Sequence, residues 1–437
     1  MTSAAHIAPS CELHPAHGPL FRSSRGALLL LLAVIYAGGI QFFIKVSPAL
    51  LYGTYVVIIG CLTVCFFFDW RTSRNLKSIA PYLIWTLGYF LWGMLAISHE
   101  PVAMSEGVRM YIKNILVIGS LACALDRRTL KPFAQLLQLS VLGNLAICLF
   151  EVADPSLVTE IANTREAGAT AFDVLRPAGL WSNPDEAASA FLFSLLMTRW
   201  AGGKLAWFGG AAAVAGIFLG ASRTGALLLT LCGAFYAVHW MRRNRIDSLR
   251  LAIIAGALLL VAGAAFLAVS VLGFDPSESW QITRMLDITE KTHGSGDASR
   301  VHIAIESIKA ALDGPWYGYG LFTFQFHASP DIPTVVDPPA HNIFIAVLGE
   351  TGMLVGISYL VILGVGFRRV FKATMLAEER LPVMLMWICY LLIGFTWHNQ
   401  FTSFSGMLYI AILWRLPDVL KISHEPQTTA GSGPVLA

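Results

Sequence analysis

The sequence predicts an all-α polytopic membrane protein with about 12 transmembrane helices, and three observations predict it. Of the 437 residues, 56% are hydrophobic and only 13% charged, with a mean hydropathy of +0.64, which excludes an ordinary soluble globule. Apolar runs of roughly 18 residues or more, enough to cross a hydrocarbon core about 30 Å thick, recur along the chain. Two thirds of the thirty Lys and Arg fall in alternate connections, an asymmetry that sets orientation in a bilayer.

The runs are 27–44, 47–68, 79–97, 107–125, 133–151, 184–201, 205–221, 224–241, 249–273, 341–366, 382–397 and 401–416. With both termini cytoplasmic, the inner connections hold Arg22 and Arg25, then Arg71, Arg74 and Lys77, then Arg127, Arg128 and Lys131. Further along they hold Arg199 and Lys204, the cluster Arg242 to Arg250, Arg368 to Arg380, and Arg415 with Lys421. The first run follows two arginines and resembles a signal peptide, but a second run comes almost at once, so an uncleaved anchor is expected. The expected organisation is a cytoplasmic tail 1–26, one transmembrane domain 27–416, and a cytoplasmic tail 417–437. Six of the seven cysteines fall in these runs and Cys11 in the first tail, so no outer disulfide is expected.

Two outward excursions interrupt the short connections, at about 152–183 and 274–340. The first ends in RPAGLWSNPDEAASAF, where Asn183 suits an N-cap, Pro184 the first helical position and Glu186 a capping box. In the second, Val301, Ile305, Ile308 and Leu312 recur opposite His302, Glu306, Lys309 and Asp313, predicting an amphipathic helix on the membrane surface. Asp297 or Ser299 caps it and Gly314-Pro315 ends it, which puts Arg300 in the first turn, against the helix dipole. The aromatic, Gly-rich GPWYGYGLFTFQFH follows, and Pro338-Pro339 leads into His341 at the head of the next run.

Arg223, Arg300 and His341 thus fall at outer ends of membrane segments, where basic residues are normally depleted. Arg223 stands between two apolar runs, flanked by Ser222, Thr224 and Gly225 with no acid nearby in sequence. It either snorkels or holds an anion, and its planar fork suits phosphate oxygens. His341 is either an interfacial helix start or a neutral base, since two arginines and a helix N-terminus favour the uncharged imidazole. Arg109 and Lys113, four apart near an outer end, are a snorkelling pair or lipid-phosphate contacts. His398-Asn399 after Trp397 reads as an aromatic belt with a polar edge or as an acceptor contact. Glu350, about 13 Å along the helix from His341, is expected to pair with a buried polar group, one of the arginines among them. The pairs Gly216/Gly220 and Gly352/Gly356 read as helix-packing patterns.

The SRTG turn at 222–225, the Arg300 helix with GPWYGYG, and His341, Asn342, Glu350 and Gly352 together resemble a bacterial superfamily. It comprises O-antigen ligases, O-antigen polymerases and protein O-oligosaccharyltransferases. Arg176-Pro177 with Gly179 and Asn183-Pro184 resembles a loop pattern of the same superfamily, so the likeness spans roughly 170–366. The resemblance implies a C-type glycosyltransferase-like enzyme in the bacterial inner membrane, with a large periplasmic loop that contains amphipathic helices. Its donor would be a glycan on undecaprenyl diphosphate and its acceptor a sugar hydroxyl of the lipid A–core oligosaccharide. Arg223 and Arg300 would stabilise the leaving diphosphate, and His341 would be the general base of an inverting displacement. Arg176, Asn342, Arg109, Lys113 and His398 are the candidate substrate contacts.

No cofactor and no nucleic acid are expected, only these substrates and membrane lipids. The chain has no GxxxxGK phosphate loop, and its outer segments have no DxD or ExD pair to hold a cation. A metal-independent reaction is therefore expected, with guanidinium groups in place of the ion. Ligase is preferred to polymerase because one outer excursion dominates, and to protein transferase because only a short tail follows 416. A secondary transporter is the reading from another class, weakened because no internal repeat is visible and the unusual charges cluster at one surface.

Overall fold

The computed structural model describes residues 19–38, 48–68, 70–96, 101–153, 177–181, 184–220, 222–243, 300–321, 323–324, 342–396, 400 and 403–422. Among them the chain is entirely helical outside its turns. The helices are α1 (Pro19–Tyr36), α2 (Pro48–Phe68), α3 (Trp70–Ala96), α4 (Pro101–Ala124), α5 (Leu130–Ala153) and α6 (Pro184–Ala201). There follow α7 (Gly203–Leu219), α8 (Arg223–Arg243), α9 (Arg300–Asp313), α10 (Ile343–Lys372), α11 (Ala377–Ile393) and α12 (Phe404–Val419). Each predicted run except 249–273, which lies outside the described residues, overlaps one of these helices, and α9 is the predicted amphipathic helix. Most of both outward excursions also lies outside the described residues.

Five helical stretches, in α3, α4, α5, α8 and α10, are long and apolar enough to cross a membrane, and the protein is a polytopic membrane protein. Such spans are helical because the bilayer core offers the backbone no other hydrogen-bond partner. Four helices open on proline, at Pro19, Pro48, Pro101 and Pro184, where the missing N–H costs nothing. The core is centred on α12, buried along nearly its whole length and packed by α1, α3, α4, α6, α10 and α11.

Charge gathers at one end of the bundle. Arg25 pairs with Asp126 at 2.6 Å, and Arg369 pairs with Asp418 at 2.7 Å while donating to the Ser78 carbonyl at 2.6 Å. Arg415 Nε donates to the Leu125 carbonyl at 3.3 Å, and Arg199 and Arg243 both grip Glu378. Burial pushes the Asp126 carboxyl up, but the Arg25 charge and the N–H groups of Thr129 and Arg128 outweigh it and hold it below its ordinary 3.8. Asp126 therefore stays ionised at neutral pH and the pair persists.

The predicted span 341–366 is not one straight helix. Gly352 takes φ 75, ψ −179 and splits α10 into a short first half and a long second half. In a straight helix Leu348 and Gly356 would be about 12 Å apart along the axis and Phe344 and Tyr359 about 22 Å. Instead a Cβ on Gly356 would stand 3.0 Å from Leu348 Cα, and the Phe344 and Tyr359 rings are 5.9 Å apart. The first half is folded back along the second, so Gly352/Gly356 is a hinge as well as a packing pattern.

The GPWYGYG loop occupies the break. Tyr319 N and Gly320 N donate to the Gly349 and Glu350 carbonyls at 2.9 and 2.8 Å. Gly318, at φ 84, faces Gly352: a Cβ on Gly352 would lie 2.0 Å from the Trp316 carbonyl oxygen, and one on Gly318 would lie 2.4 Å from that of Glu350. From α3, the Tyr89 hydroxyl donates to the Glu350 carboxylate, and Trp92 Nε1 donates to the Tyr317 carbonyl at 3.2 Å. Glu350 thus has a buried polar partner as expected, the Tyr89 hydroxyl.

The apolar stripe read on α9 also behaves differently from a core stripe. Its small residues Ala304, Ala310 and Ala311 pack against Phe324 and Ile345, and Ser307 is buried, while Ile305, Ile308 and Leu312 are exposed. Gly352→Ala is expected to lower stability by at least about 2 kcal/mol, from the strained left-handed backbone and the clash with Trp316. Thermal unfolding in detergent measures it, and an unchanged midpoint would refute the pinned break.

Candidate functional site

Opposite the charged end, the starts of α6, α8, α10 and α12 are tied together. Ser222 caps α8: its carbonyl takes the Ala226 N–H at 2.9 Å and its Oγ takes the Gly225 N–H at 3.2 Å. The same hydroxyl donates to Asp185 Oδ1, in the first turn of α6, at 2.9 Å. Its neighbour Glu186 is buried and accepts a hydrogen bond from Ser405, in the first turn of α12. Ser403 caps that helix by accepting from Gly406 N at 3.1 Å. Both carboxylates lie at a helix N-terminus, the end where negative charge is favoured.

Asp185, Ser189, Ser222, Thr224, Ile393 and Thr396 line a narrow crevice that opens to the surface. The Ile393–Thr396 turn forms its far side. One residue along that turn, the Gly394 carbonyl accepts Ile343 N at 2.9 Å and so fixes the start of α10. The SRTG turn and the head of α10 therefore share one turn at the end of α11. Asn342 caps α10, its Oδ1 accepting from Phe344 N and Ile345 N at 2.9 and 3.2 Å. With Ala346 N on the Asn342 carbonyl, the first N–H groups of α10 are all engaged. That helix end offers its dipole, not open donors.

Arg223 is the first residue of α8 and is half-buried, between the crevice residues Ser222 and Thr224 in sequence. Sequence showed no acid near it, but the fold brings the Asp185 carboxylate to the same turn. Arg300 is likewise the first residue of its helix; its side chain lies outside the described residues. By helical register position 300 shares the stripe of Ala304, Ser307 and Ala311, which faces the first half of α10. Lys113 lies 5.1 Å from the centroid of the Phe404 ring, at the start of α12 and so beside the same group of helix ends. Arg109, one turn further out on α4, is exposed. His341, Arg176 and His398 lie outside the described residues. Their neighbours do not: Asn342 is placed as above, and the Pro177 carbonyl stands 3.4 Å from where a Gly220 Cβ would be, next to the SRTG turn.

Sequence reasoning missed Asp185, Ser405 and the tertiary use of Glu186. The SNPDE string signals a helix start, and α6 does begin at Pro184; Glu186 also reaches across to α12, while Asn183, the other member of the expected capping box, lies outside the described residues. Glu151 was missed too; its Oε2 accepts from Ala178 N and Gly179 N, both at 2.8 Å, and anchors the loop after Arg176. Nothing in the local sequence distinguishes these carboxylates from caps or surface charges. Among the described residues no three His, Cys, Asp or Glu side chains gather as a metal site would require.

Ser222→Ala is expected to cost about 1 kcal/mol through loss of the α8 cap, with Ser222→Gly costing only a few tenths. A thermal unfolding series in detergent checks both, and equal losses would show that the cap is not the cause.

Residues 208–360 match the family model described as O-antigen ligase, whose members are membrane glycosyltransferase-like enzymes handling lipid-linked glycans. No curated protein matches the chain. The matched stretch holds the SRTG turn, α8, α9, the GPWYGYG loop and α10 through its break, and over it the chain is similar to the O-antigen ligase family.

Proposed function

We propose that the protein is an O-antigen ligase of the bacterial inner membrane. It moves a glycan from undecaprenyl diphosphate to a sugar hydroxyl of the lipid A–core oligosaccharide at the periplasmic face. The observation that carries this reading is the shared turn Ile393–Thr396, which sets the Arg223 turn and the head of α10 side by side at one end of the bundle. The opposite end, with Arg25, Arg199, Arg243, Arg369 and Arg415, has the basic excess of a cytoplasmic surface. On that orientation twelve spans, the 249–273 run among them, bracket the periplasmic excursions 152–183 and 274–340.

In the proposed reaction the acceptor oxygen attacks the anomeric carbon as the bond to the diphosphate breaks, and His341 takes the hydroxyl proton. Arg223 and Arg300 face the charge that grows on the leaving diphosphate. Arg176 joins them in this scheme. Asn342 spends its carbonyl oxygen on the cap and keeps its amide NH₂ for substrate, while Arg109, Lys113 and His398 are outer contacts for lipid phosphate or acceptor. Guanidinium groups replace a divalent cation in this scheme.

In proteoliposomes given lipid-linked glycan and lipid A–core, wild type is expected to extend the core, and Arg223→Ala to lose about 10²-fold or more in turnover. Arg223→Lys keeps the charge without the bidentate fork and is expected to fall between them. Longer lipid-linked glycan with donor alone would assign a polymerase, and substrate uptake without transfer a transporter. Purified wild type is also expected to keep full activity in EDTA; abolition would refute the metal-free scheme.

A further inference from the structure

The exposed stripe of α9 is apolar, long and continuous with surface that meets lipid. Ile305, Ile308 and Leu312 are 46%, 40% and 56% exposed, and the stripe runs on into Trp316 at 69% and the exposed Tyr317. Three stripes share the helix. Ala304, Ser307 and Ala311 face the protein, Glu306 and Lys309 form a 2.7 Å ion pair on another side, and the bulky residues lie between. A helix with one small-residue face bound to protein, one charged face and one bulky apolar face between them is built for a boundary between protein, water and hydrocarbon.

Position along the bundle identifies which hydrocarbon. Trp92 of α3 lies 5.9 Å from Trp316, centroid to centroid, and donates to the Tyr317 carbonyl. Trp92 sits three residues before the end of the membrane-crossing stretch Asn75–Leu95. On that helix Ile84, Leu91 and Leu95 are exposed in the same way. The α9 patch is therefore continuous with the lipid-facing surface of α3. Its junction is three aromatic residues, two tryptophans and a tyrosine, the types that collect at headgroup level.

We propose that Ile305, Ile308 and Leu312, with Trp92, Trp316 and Tyr317, dock on the bilayer itself, at the boundary between headgroups and acyl chains. α9 is then held between the membrane and the folded-back half of α10. Membrane contact sets the depth of position 300, at the level where a lipid-linked diphosphate lies. This second statement rests on the ligase reading; the docking does not.

The test uses the full chain in phospholipid nanodiscs, with a diazirine-bearing amino acid introduced singly at positions 305, 308 and 312, and at 306 and 309 for comparison. After illumination, mass spectrometry is expected to find chiefly lipid adducts at 305, 308 and 312 and chiefly water adducts at 306 and 309. Water adducts at 308 and 312 would overturn the proposal. Crosslinks there to protein would also overturn it, assigning the face to another segment of this chain or to a second copy. Because the readout is chemical labelling and not turnover, either result leaves the ligase reading standing or falling on its own assay.

Discussion

Two backbone carbonyls, those of Gly349 and Glu350, govern the site-bearing half of the molecule. A helix broken inside a membrane protein bares polar groups that hydrocarbon cannot satisfy, each at a cost of several kcal/mol. Here the bared carbonyls take the N–H groups of Tyr319 and Gly320, so the break survives only while the GPWYGYG loop lies in it. The loop in turn exists at that position because Gly318 and Gly352 lack side chains where the two backbones meet. α9 hangs from one end of this joint and the head of α10 from the other. Two elements 30 residues apart in sequence, Asp313 to Ile343, are thereby joined.

The two ends of the bundle use charge differently. At one end arginines meet carboxylates directly, in pairs and short chains such as Arg415, Asp418 and Arg369. At the other end the carboxylates Asp185 and Glu186 are tied to serine hydroxyls at helix starts, and arginine stands at the first position of α8 and of α9. A cation at a helix start is disfavoured by the dipole, so each gains from an incoming anion. Asp185 tempers this at Arg223, since it already supplies one negative charge to that turn.

Much of the architecture was legible because hydrophobic length is a robust signal: α5, α6, α8 and α12 lie within a few residues of their predicted runs. The break in α10 was not, because Ile343 to Lys372 is apolar throughout and one glycine among such residues reads as packing. Its partner, the paired glycines of GPWYGYG, was visible only as an aromatic loop. Periodicity found the α9 stripe but not its direction, since an apolar face looks the same whether it meets protein or lipid. Arg223, Arg300 and His341 stand out in the sequence as basic residues beside apolar runs; Asp185, Glu186 and Ser405 do not, because their partners lie 37 and 219 residues away.

The burial of α12 also bears on how the molecule is made. It follows every other described helix in the chain, yet it occupies the centre, with α1, α3 and α4 from the opposite end of the sequence against it. Domains assemble as they are synthesised, N-terminal parts first, so the earlier helices must wait in the membrane around an unfilled slot. Its Arg415, which would be costly to expose to lipid, finds the Leu125 carbonyl only in that slot. The tie between Glu186 and Ser405 forms in the same step, so the start of α6 gains its link to α12 only when the last described helix is in place.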